Sequence, residues 1–192
     1  MDGFAKGINN TRRKIMKSEN RNKLTIALFV IYMLLLTGVI LFKLPFFSSE
    51  ISDGIRVINL IPFQGSFDDS GTIDFREIRD NILIFIPLGI YICILKSKWP
   101  FMKKVLPIVA LTLAFEAIQF IFAIGRSDIT DVLDNTLGGV IGIGIYALLF
   151  KIFKNRTVKV VNILALVVTV FVVLYFAYMF YLSHFVMRRL HP

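Results

Sequence analysis

Residues 125–144 combine polar side chains capable of chemistry with an apolar, glycine-containing run. The first eleven residues of this segment include Arg126, Asp128, Asp131 and Asn135. At about 100° per residue, Asp128, Asp131 and Asn135 lie on one face of a helix. Carboxylates on such a face can bind a cation or transfer a proton, and a guanidinium group can hold a phosphate. We expect this face to contact other helices or a water-filled cavity, because acids are costly in lipid.

A second polar pair, Glu116 and Gln119, lies in the apolar run that precedes this segment. Their spacing of three places both side chains on the same face of a helix. An ionised carboxylate facing lipid is unfavourable, so Glu116 is expected to face inward with a partner or to be protonated. Arg126 and Arg79 are the candidate partners. We also expect Asp128 to be the N-cap of the helix that follows it.

Composition indicates which kind of protein must position these groups. The chain has 192 residues, of which 56% are hydrophobic, and its mean hydropathy is +0.73. These values are typical of a compact bundle of membrane helices. The single cysteine, Cys93, excludes an intramolecular disulfide, and the two histidines lie near the C-terminus. No zinc site and no cofactor are therefore expected, although an enzyme in this class could bind Mg²⁺ on its carboxylates.

Five apolar runs predict an all-α membrane protein with five transmembrane helices, at residues 24–42, 81–95, 105–124, 132–153 and 160–187. A cytoplasmic N-terminus would place 15 of the 22 Lys and Arg residues inside and 7 outside. This asymmetry is typical of that orientation and explains the net charge of +9 without nucleic acid. The predicted parts are a basic cytoplasmic tail at 1–23, a core at 24–153 and a loop with a C-terminal helix at 154–192. The core includes an extracytoplasmic loop at 43–80.

Small residues and prolines predict how the helices pack. Gly138 and Gly142 form a G-x-x-x-G groove for close helix contact. Pro87 and Gly89 indicate a fixed kink in the second span rather than a hinge. A turn is expected at Pro62, whereas residues 51–61 are compatible with either a short strand or an interfacial segment.

Four motifs occur in order along the chain. They are N-x-I-P-F at 59–63, N-x-x-x-F-x-P-x-G at 81–89, E-x-x-Q at 116–119, and G-R followed by D-x-x-D-x-x-x-N-x-x-G at 125–138. In these motifs the chain resembles the VanZ-like family of bacterial membrane proteins, named for a teicoplanin-resistance protein. The resemblance covers residues 24–153, so the fifth helix lies outside the shared core. Two departures are Thr130, at a position often acidic in the family, and an Arg126–Asp128 spacing one residue shorter than usual.

The resemblance implies a multi-pass protein of the bacterial cell membrane, and some family members are associated with lowered glycopeptide susceptibility. Together with the predicted topology, it implies a polar pocket in the outer half of the membrane. The candidate residues for this pocket are Asn59, Pro62, Phe63, Arg79, Asn81, Glu116, Gln119, Arg126, Asp128, Asp131 and Asn135.

Several interpretations of this cluster remain open. The polar residues can simply join helices by hydrogen bonds. They can also bind a polar or cationic group of a lipid headgroup, a cell-wall precursor or a glycopeptide. A third interpretation is an enzyme acting on a lipid-linked or phospholipid substrate, with Glu116 or Asp131 as acid or base. The absence of G-x-S-x-G and H-E-x-x-H motifs weakens the enzyme hypothesis, and the short chain without repeats weakens a transporter.

Overall fold

The structure is a computed structural model that describes residues 22–41, 57–64, 75–122 and 126–190. Most of the predicted basic tail, the predicted loop at 43–56 and 65–74, and residue 125 lie outside this part. The described elements are the helices α1 (Asn22–Leu41), α2 (Phe75–Leu95), α3 (Phe101–Phe122), α4 (Ile129–Phe153) and α5 (Thr157–Leu190), the strands β1 (Val57–Asn59) and β2 (Arg126–Asp128), and a 3-10 turn (Lys154–Arg156).

Four helical stretches among the described residues are long and apolar enough to cross a membrane. They are Asn22–Leu41, Phe75–Leu95, Phe101–Phe122 and Ile129–Leu182. The prediction of a helical, membrane-type protein is thereby confirmed. The fourth stretch has 54 residues and includes α4, the 3-10 turn and most of α5. As a helix it would measure about 81 Å, far more than a hydrocarbon core of about 30 Å.

The predicted helix boundaries were wrong at the start of α2. This helix begins at Phe75, six residues before the predicted start at residue 81, so its first turns occupy the end of the predicted loop at 43–80. Hydropathy detects only the apolar part of a helix, whereas the first turns of α2 are charged. Glu77 in the first turn is nevertheless favourable there, because a carboxylate interacts well with the positive end of the helix dipole.

A short parallel sheet adds strands that the all-α prediction lacked. β1 pairs with β2 so that Val57 lies opposite Arg126, and Asn59 lies opposite Asp128. Of the two alternatives for residues 51–61, the described part is therefore a strand at Val57–Asn59. The pair connects the segment before α2 to the start of α4.

The chain divides into two compact units, of which the larger is Met33–Lys154. Its interior contains Ile108, which is completely buried, and the rings of Phe85 and Phe115. The two rings meet edge to face with centroids 6.5 Å apart and an interplanar angle of 85°. This geometry is favourable for aromatic pairs and fixes α2 against α3.

Helices α2 and α4 touch through their backbones. A Cβ atom added to Gly138 would overlap the carbonyl oxygen of Ile82, and one added to Gly142 would overlap the carbonyl oxygen of Ile86. From the other side, a Cβ atom at Gly89 would overlap the carbonyl oxygen of Gly139. The two helices can approach this closely only because these positions lack side chains. Pro87 lies inside α2 between these contacts.

The second unit consists of residues 1–32 and 155–192. In its described part, Thr25 of α1 and Asn162 of α5 are both buried and hydrogen-bonded to each other. The Asn162 Nδ2 group donates to Thr25 Oγ1 at 2.9 Å, and the Thr25 hydroxyl donates to Asn162 Oδ1 at 3.2 Å. Such a pair joins helices where no water is present to satisfy polar groups.

The backbone contact predicts opposite effects for two neighbouring glycines. Gly142→Ala should lower the free energy of unfolding by about 1–3 kcal/mol, because its Cβ atom displaces α2. Gly144→Ala is the matched control, since a Cβ atom there meets no atom within 4 Å. It should be neutral or stabilising by up to about 1 kcal/mol through helix propensity. Thermal unfolding of both variants in detergent measures the difference, and equal effects would contradict the α2–α4 contact.

Candidate functional site

A polar cavity lies at the end of the larger unit where α1 and α3 finish and α2 and α4 begin. The cavity has a volume of ≈ 50 Å³ and is partly open to the outside. The residues that line it are Val39, Ile40, Glu77, Asp80, Asn81, Ile84, Glu116, Gln119, Asp131 and Asn135. Four of these carry carboxylates and three carry amides, while none of the described lining residues is Lys or Arg. The cavity is therefore rich in hydrogen-bond acceptors.

Helix α2 contributes one continuous face to the cavity. Its lining residues are three, one and three positions apart in turn, which places Glu77, Asp80, Asn81 and Ile84 on one side of the helix. Arg79 lies beside this face, and its Nε and Nη2 atoms both contact Asp80 Oδ1 at 2.8 Å. The Asp80 carboxylate is thus paired with an exposed arginine that does not line the cavity.

A hydrogen bond joins α2 to α4 at the cavity. The Asn81 Nδ2 group donates to Asp131 Oδ1 at 2.8 Å. Asp131 lies in the first turn of α4, where the positive end of the helix dipole stabilises its carboxylate. The bond fixes the direction of one acid in the cavity.

Glu116 of α3 is buried and holds the start of α4. Its Oε2 atom accepts a hydrogen bond from the backbone N–H of Asp128 at 2.9 Å. The Ser127 hydroxyl donates to the backbone carbonyl of Glu116, also at 2.9 Å. Of the two arginines considered as partners for this carboxylate, Arg79 is paired with Asp80, and the side chain of Arg126 lies outside the described part.

Gln119 and Asn135 each use the amide nitrogen and leave the amide oxygen without a hydrogen bond. Gln119 Nε2 donates to the carbonyl of Ile40 at 3.1 Å, and Asn135 Nδ2 donates to Thr112 Oγ1 at 2.8 Å. Within the described residues, neither Gln119 Oε1 nor Asn135 Oδ1 has a partner, although the side chains are only 3% and 1% exposed. A backbone carbonyl can only accept, so the contact with Ile40 fixes the orientation of the Gln119 amide.

A hydrogen-bonded clamp lies next to the cavity and connects β1 to the start of α4. Asn59 Nδ2 donates to Asp128 Oδ2 at 2.9 Å, while Asn59 Oδ1 accepts from the backbone N–H of Ile61 at 3.1 Å. The other carboxylate oxygen of Asp128, Oδ1, accepts from the backbone N–H of Thr130 at 2.8 Å. Asp128 is thus the N-cap of α4, the role expected from the sequence.

The turn at Pro62 is also attached to α4. The backbone N–H of Phe63 donates to Thr130 Oγ1 at 2.9 Å, and Gln64 N–H donates to the carbonyl of Ile61 at 3.2 Å. Phe63 has a φ of 64°, a left-handed conformation that is unusual for a bulky residue. The bond to Thr130 helps to hold it. A carboxylate at position 130 would accept the same bond, so the hydroxyl can replace an acid there.

The residues predicted from the sequence thus fall into distinct groups. Asn81, Glu116, Gln119, Asp131 and Asn135 line the cavity. Asn59, Phe63 and Asp128 belong to the clamp, and Pro62 lies in its turn. Arg79 lies beside the cavity, and Pro87, Gly89, Gly138 and Gly142 belong to the α2–α4 contact or lie next to it.

Sequence reasoning missed the polar residues Glu77, Asp80 and Thr112 of the site, and also its apolar lining residues Val39, Ile40 and Ile84. Extending the helical spacing of α2 towards its N-terminus would have found the two acids. No local signal distinguishes Thr112 from other residues of the apolar α3 run. Within the described part, no group of three or more His, Cys, Asp or Glu side chains is placed to hold a metal ion.

Apolar helices of membrane-spanning length, with acids and amides gathered at one end, define a multi-pass helical membrane protein with a polar site among its helix ends. The model of the VanZ/LLP1 family matches residues 29–151, and the chain belongs to this family. Protein VanZ of Enterococcus faecium is 39% identical over 145 residues, which cover 73% of this chain and 86% of that protein. The family match ends before α5, as the resemblance predicted. No solved structure matches the chain significantly.

The clamp predicts that two unfavourable substitutions compensate each other. Asn59→Asp places two carboxylates face to face, and Asp128→Asn opposes two amide donors, so each should lower the free energy of unfolding by about 1 kcal/mol or more. When both substitutions are combined, the amide and the carboxylate exchange places, so the hydrogen bond is restored and the amide oxygen at position 128 still caps α4. The stability of this double variant should return to within about 0.5 kcal/mol of the parent. Additive losses in thermal unfolding would show that the two side chains do not interact.

Proposed function

We propose that this protein is an integral protein of the bacterial cell membrane that lowers susceptibility to the glycopeptide teicoplanin by binding a polar group in the cavity. The observation that carries this proposal is the set of carboxylates and amides that line one cavity at the helix ends, of which Glu116, Gln119 and Asn135 are buried. The relationship to Protein VanZ, at 39% identity, supports a role in antibiotic resistance. A cavity of fixed acceptors is suited to binding, because its side chains are held by hydrogen bonds before any ligand arrives.

The proposed orientation places the cavity towards the outer face of the membrane and the N-terminus in the cytoplasm. Lys96 and Lys98 lie in the loop between α2 and α3, and Lys151 and Lys154 lie at the end of α4. Both basic segments are at the opposite end of the larger unit from the cavity, as the positive-inside rule requires for cytoplasmic loops. The Lys96 ammonium lies 5.2 Å from the centre of the Trp99 ring, and both residue types are common at a membrane interface.

Five membrane crossings follow if the 54-residue apolar stretch crosses twice. The 3-10 turn at Lys154–Arg156 divides this stretch. It also contains two basic residues that favour the cytoplasm over the hydrocarbon core. Lys154 has a φ of 49°, a conformation that interrupts regular helix geometry. The C-terminal half of α5 would then reach the outer side.

Single cysteines test the orientation. In a Cys93→Ala background, Leu60→Cys should react with a membrane-impermeant maleimide on intact cells, because Leu60 is 74% exposed on the cavity side. Asn155→Cys, in the exposed 3-10 turn, should react only after the cells are permeabilised. Labelling of position 155 but not of position 60 in intact cells would reverse the orientation.

Loss of a single charge tests the function. Glu116→Gln keeps the size of the side chain and an oxygen for the Asp128 N–H, but removes the negative charge from the cavity. We expect cells producing this variant to lose protection against teicoplanin at membrane levels equal to those of the parent. Asp134→Asn is the matched control, because Asp134 is a buried carboxylate of α4 that does not line the cavity.

The readout is growth across teicoplanin concentrations, with thermal unfolding measured in parallel. If cells producing Glu116→Gln were fully protected against teicoplanin, the Glu116 carboxylate would have a structural role only. That result would contradict the proposal. Product formed from a labelled lipid precursor by the parent, and not by Glu116→Gln, would instead support the enzyme hypothesis.

A further inference from the structure

The cavity has the charge of a cation site. Glu77, Asp80, Glu116 and Asp131 line it, and the Arg79 guanidinium pairs with Asp80 from outside the lining. No Lys or Arg belongs to its described lining. An anionic group such as a phosphate would meet like charges there, whereas a positive group would be attracted.

Two buried amide oxygens add a second, independent requirement. Gln119 Oε1 and Asn135 Oδ1 belong to side chains that line the cavity, and neither has a hydrogen-bond partner among the described residues. Their amide nitrogens are already engaged with Ile40 and Thr112. Buried acceptors are rarely left unpaired in folded proteins. A ligand that complements them must donate hydrogen bonds as well as carry positive charge.

The lining also distinguishes between kinds of cation. No set of three or more acidic, His or Cys side chains in the described part is placed for a metal ion. A quaternary ammonium has no N–H to donate and is usually bound by a cage of aromatic rings, but none of the described lining residues is aromatic. A primary ammonium has three N–H donors and matches acceptors of both kinds. Val39, Ile40 and Ile84 supply apolar surface for the carbon atoms attached to it.

We propose that the group recognised in the cavity is a primary ammonium on an organic molecule. This inference rests on the proposed function of the cavity as a binding site, and it specifies the chemistry of the ligand. The amine can be carried by a lipid headgroup or by a water-soluble molecule of the envelope.

The test uses the full chain in nanodiscs of phosphatidylcholine, whose headgroup has no N–H. Dodecylamine, dodecyltrimethylammonium and dodecyl phosphate are titrated separately, and bound ligand is counted by native mass spectrometry. The three probes share one alkyl chain, so their headgroups account for differences. Dodecylamine should bind at least about tenfold more tightly than the other two, because only it supplies charge-assisted N–H donors to the cavity. If dodecyltrimethylammonium or dodecyl phosphate bound as tightly as dodecylamine, the assignment of a primary ammonium would be overturned.

Variants locate the binding. Glu116→Gln/Asp131→Asn should weaken dodecylamine binding by about tenfold or more, while Asp134→Asn should change it far less, because Asp134 does not line the cavity. Unchanged binding in the double variant would overturn the site. If the double variant fails to fold, Asp131→Asn alone provides a second measurement, because its amide oxygen can still accept the hydrogen bond from Asn81. It removes one negative charge from the cavity and should weaken dodecylamine binding. Unchanged binding in that variant would count against the proposal.

Competition identifies the source of the amine. Replacing part of the phosphatidylcholine by phosphatidylethanolamine should displace dodecylamine if a lipid headgroup is the ligand. Displacement by free ethanolamine but not by this lipid would indicate a water-soluble amine. Either result supports the ammonium site, and displacement by neither overturns it.

The growth assay separates this inference from the proposed function. Loss of teicoplanin protection in Glu116→Gln without selective dodecylamine binding would refute the ammonium assignment and keep the proposed function. Selective dodecylamine binding together with full teicoplanin protection by Glu116→Gln would refute the proposed function and keep the ammonium assignment.

Discussion

The backbone contact between α2 and α4 is the constraint on which the larger unit depends. In lipid, apolar side chains gain little by leaving their surroundings, so helices associate through close packing and hydrogen bonds. Gly138 and Gly142 allow α4 to lie directly on the Ile82 and Ile86 carbonyls of α2. Both helices begin at the same end of the unit, so this contact brings their polar first turns together. The cavity forms at that end because these polar first turns meet there.

The cavity differs from an ordinary helix-joining contact elsewhere in the same chain. Thr25 and Asn162 form a closed pair, in which the Asn162 side chain both donates and accepts. Gln119 and Asn135 donate to neighbouring helices in the same way, but their oxygens lack partners in the described part. The role of joining helices accounts for the hydrogen bonds that these amide nitrogens donate. It does not account for the position of the amide oxygens beside several carboxylates in one cavity.

Much of this arrangement could be predicted from the sequence because it depends on local chemistry. Apolar runs located the helices, and the position of Asp128 before a helix indicated its N-cap role. The first turns of α2 were missed because their charges hide them from hydropathy, and Glu77 and Asp80 were missed with them. The β1–β2 pair was also beyond prediction. Its partners are three residues long and lie 69 positions apart, so no periodic pattern marks them.

The parallel pairing of β1 with β2 has a consequence for biosynthesis. β1 precedes α2 in the chain, while β2 follows α3, so the ribosome completes β1 long before its partner exists. Asn59 cannot reach its hydrogen-bond acceptor on Asp128 until α2 and α3 have been made and have brought the chain back to the same end. The clamp therefore forms after these helices, as a late step that closes the polar end of the molecule. A chain arrested before β2 would contain the first three helices but lack the clamp.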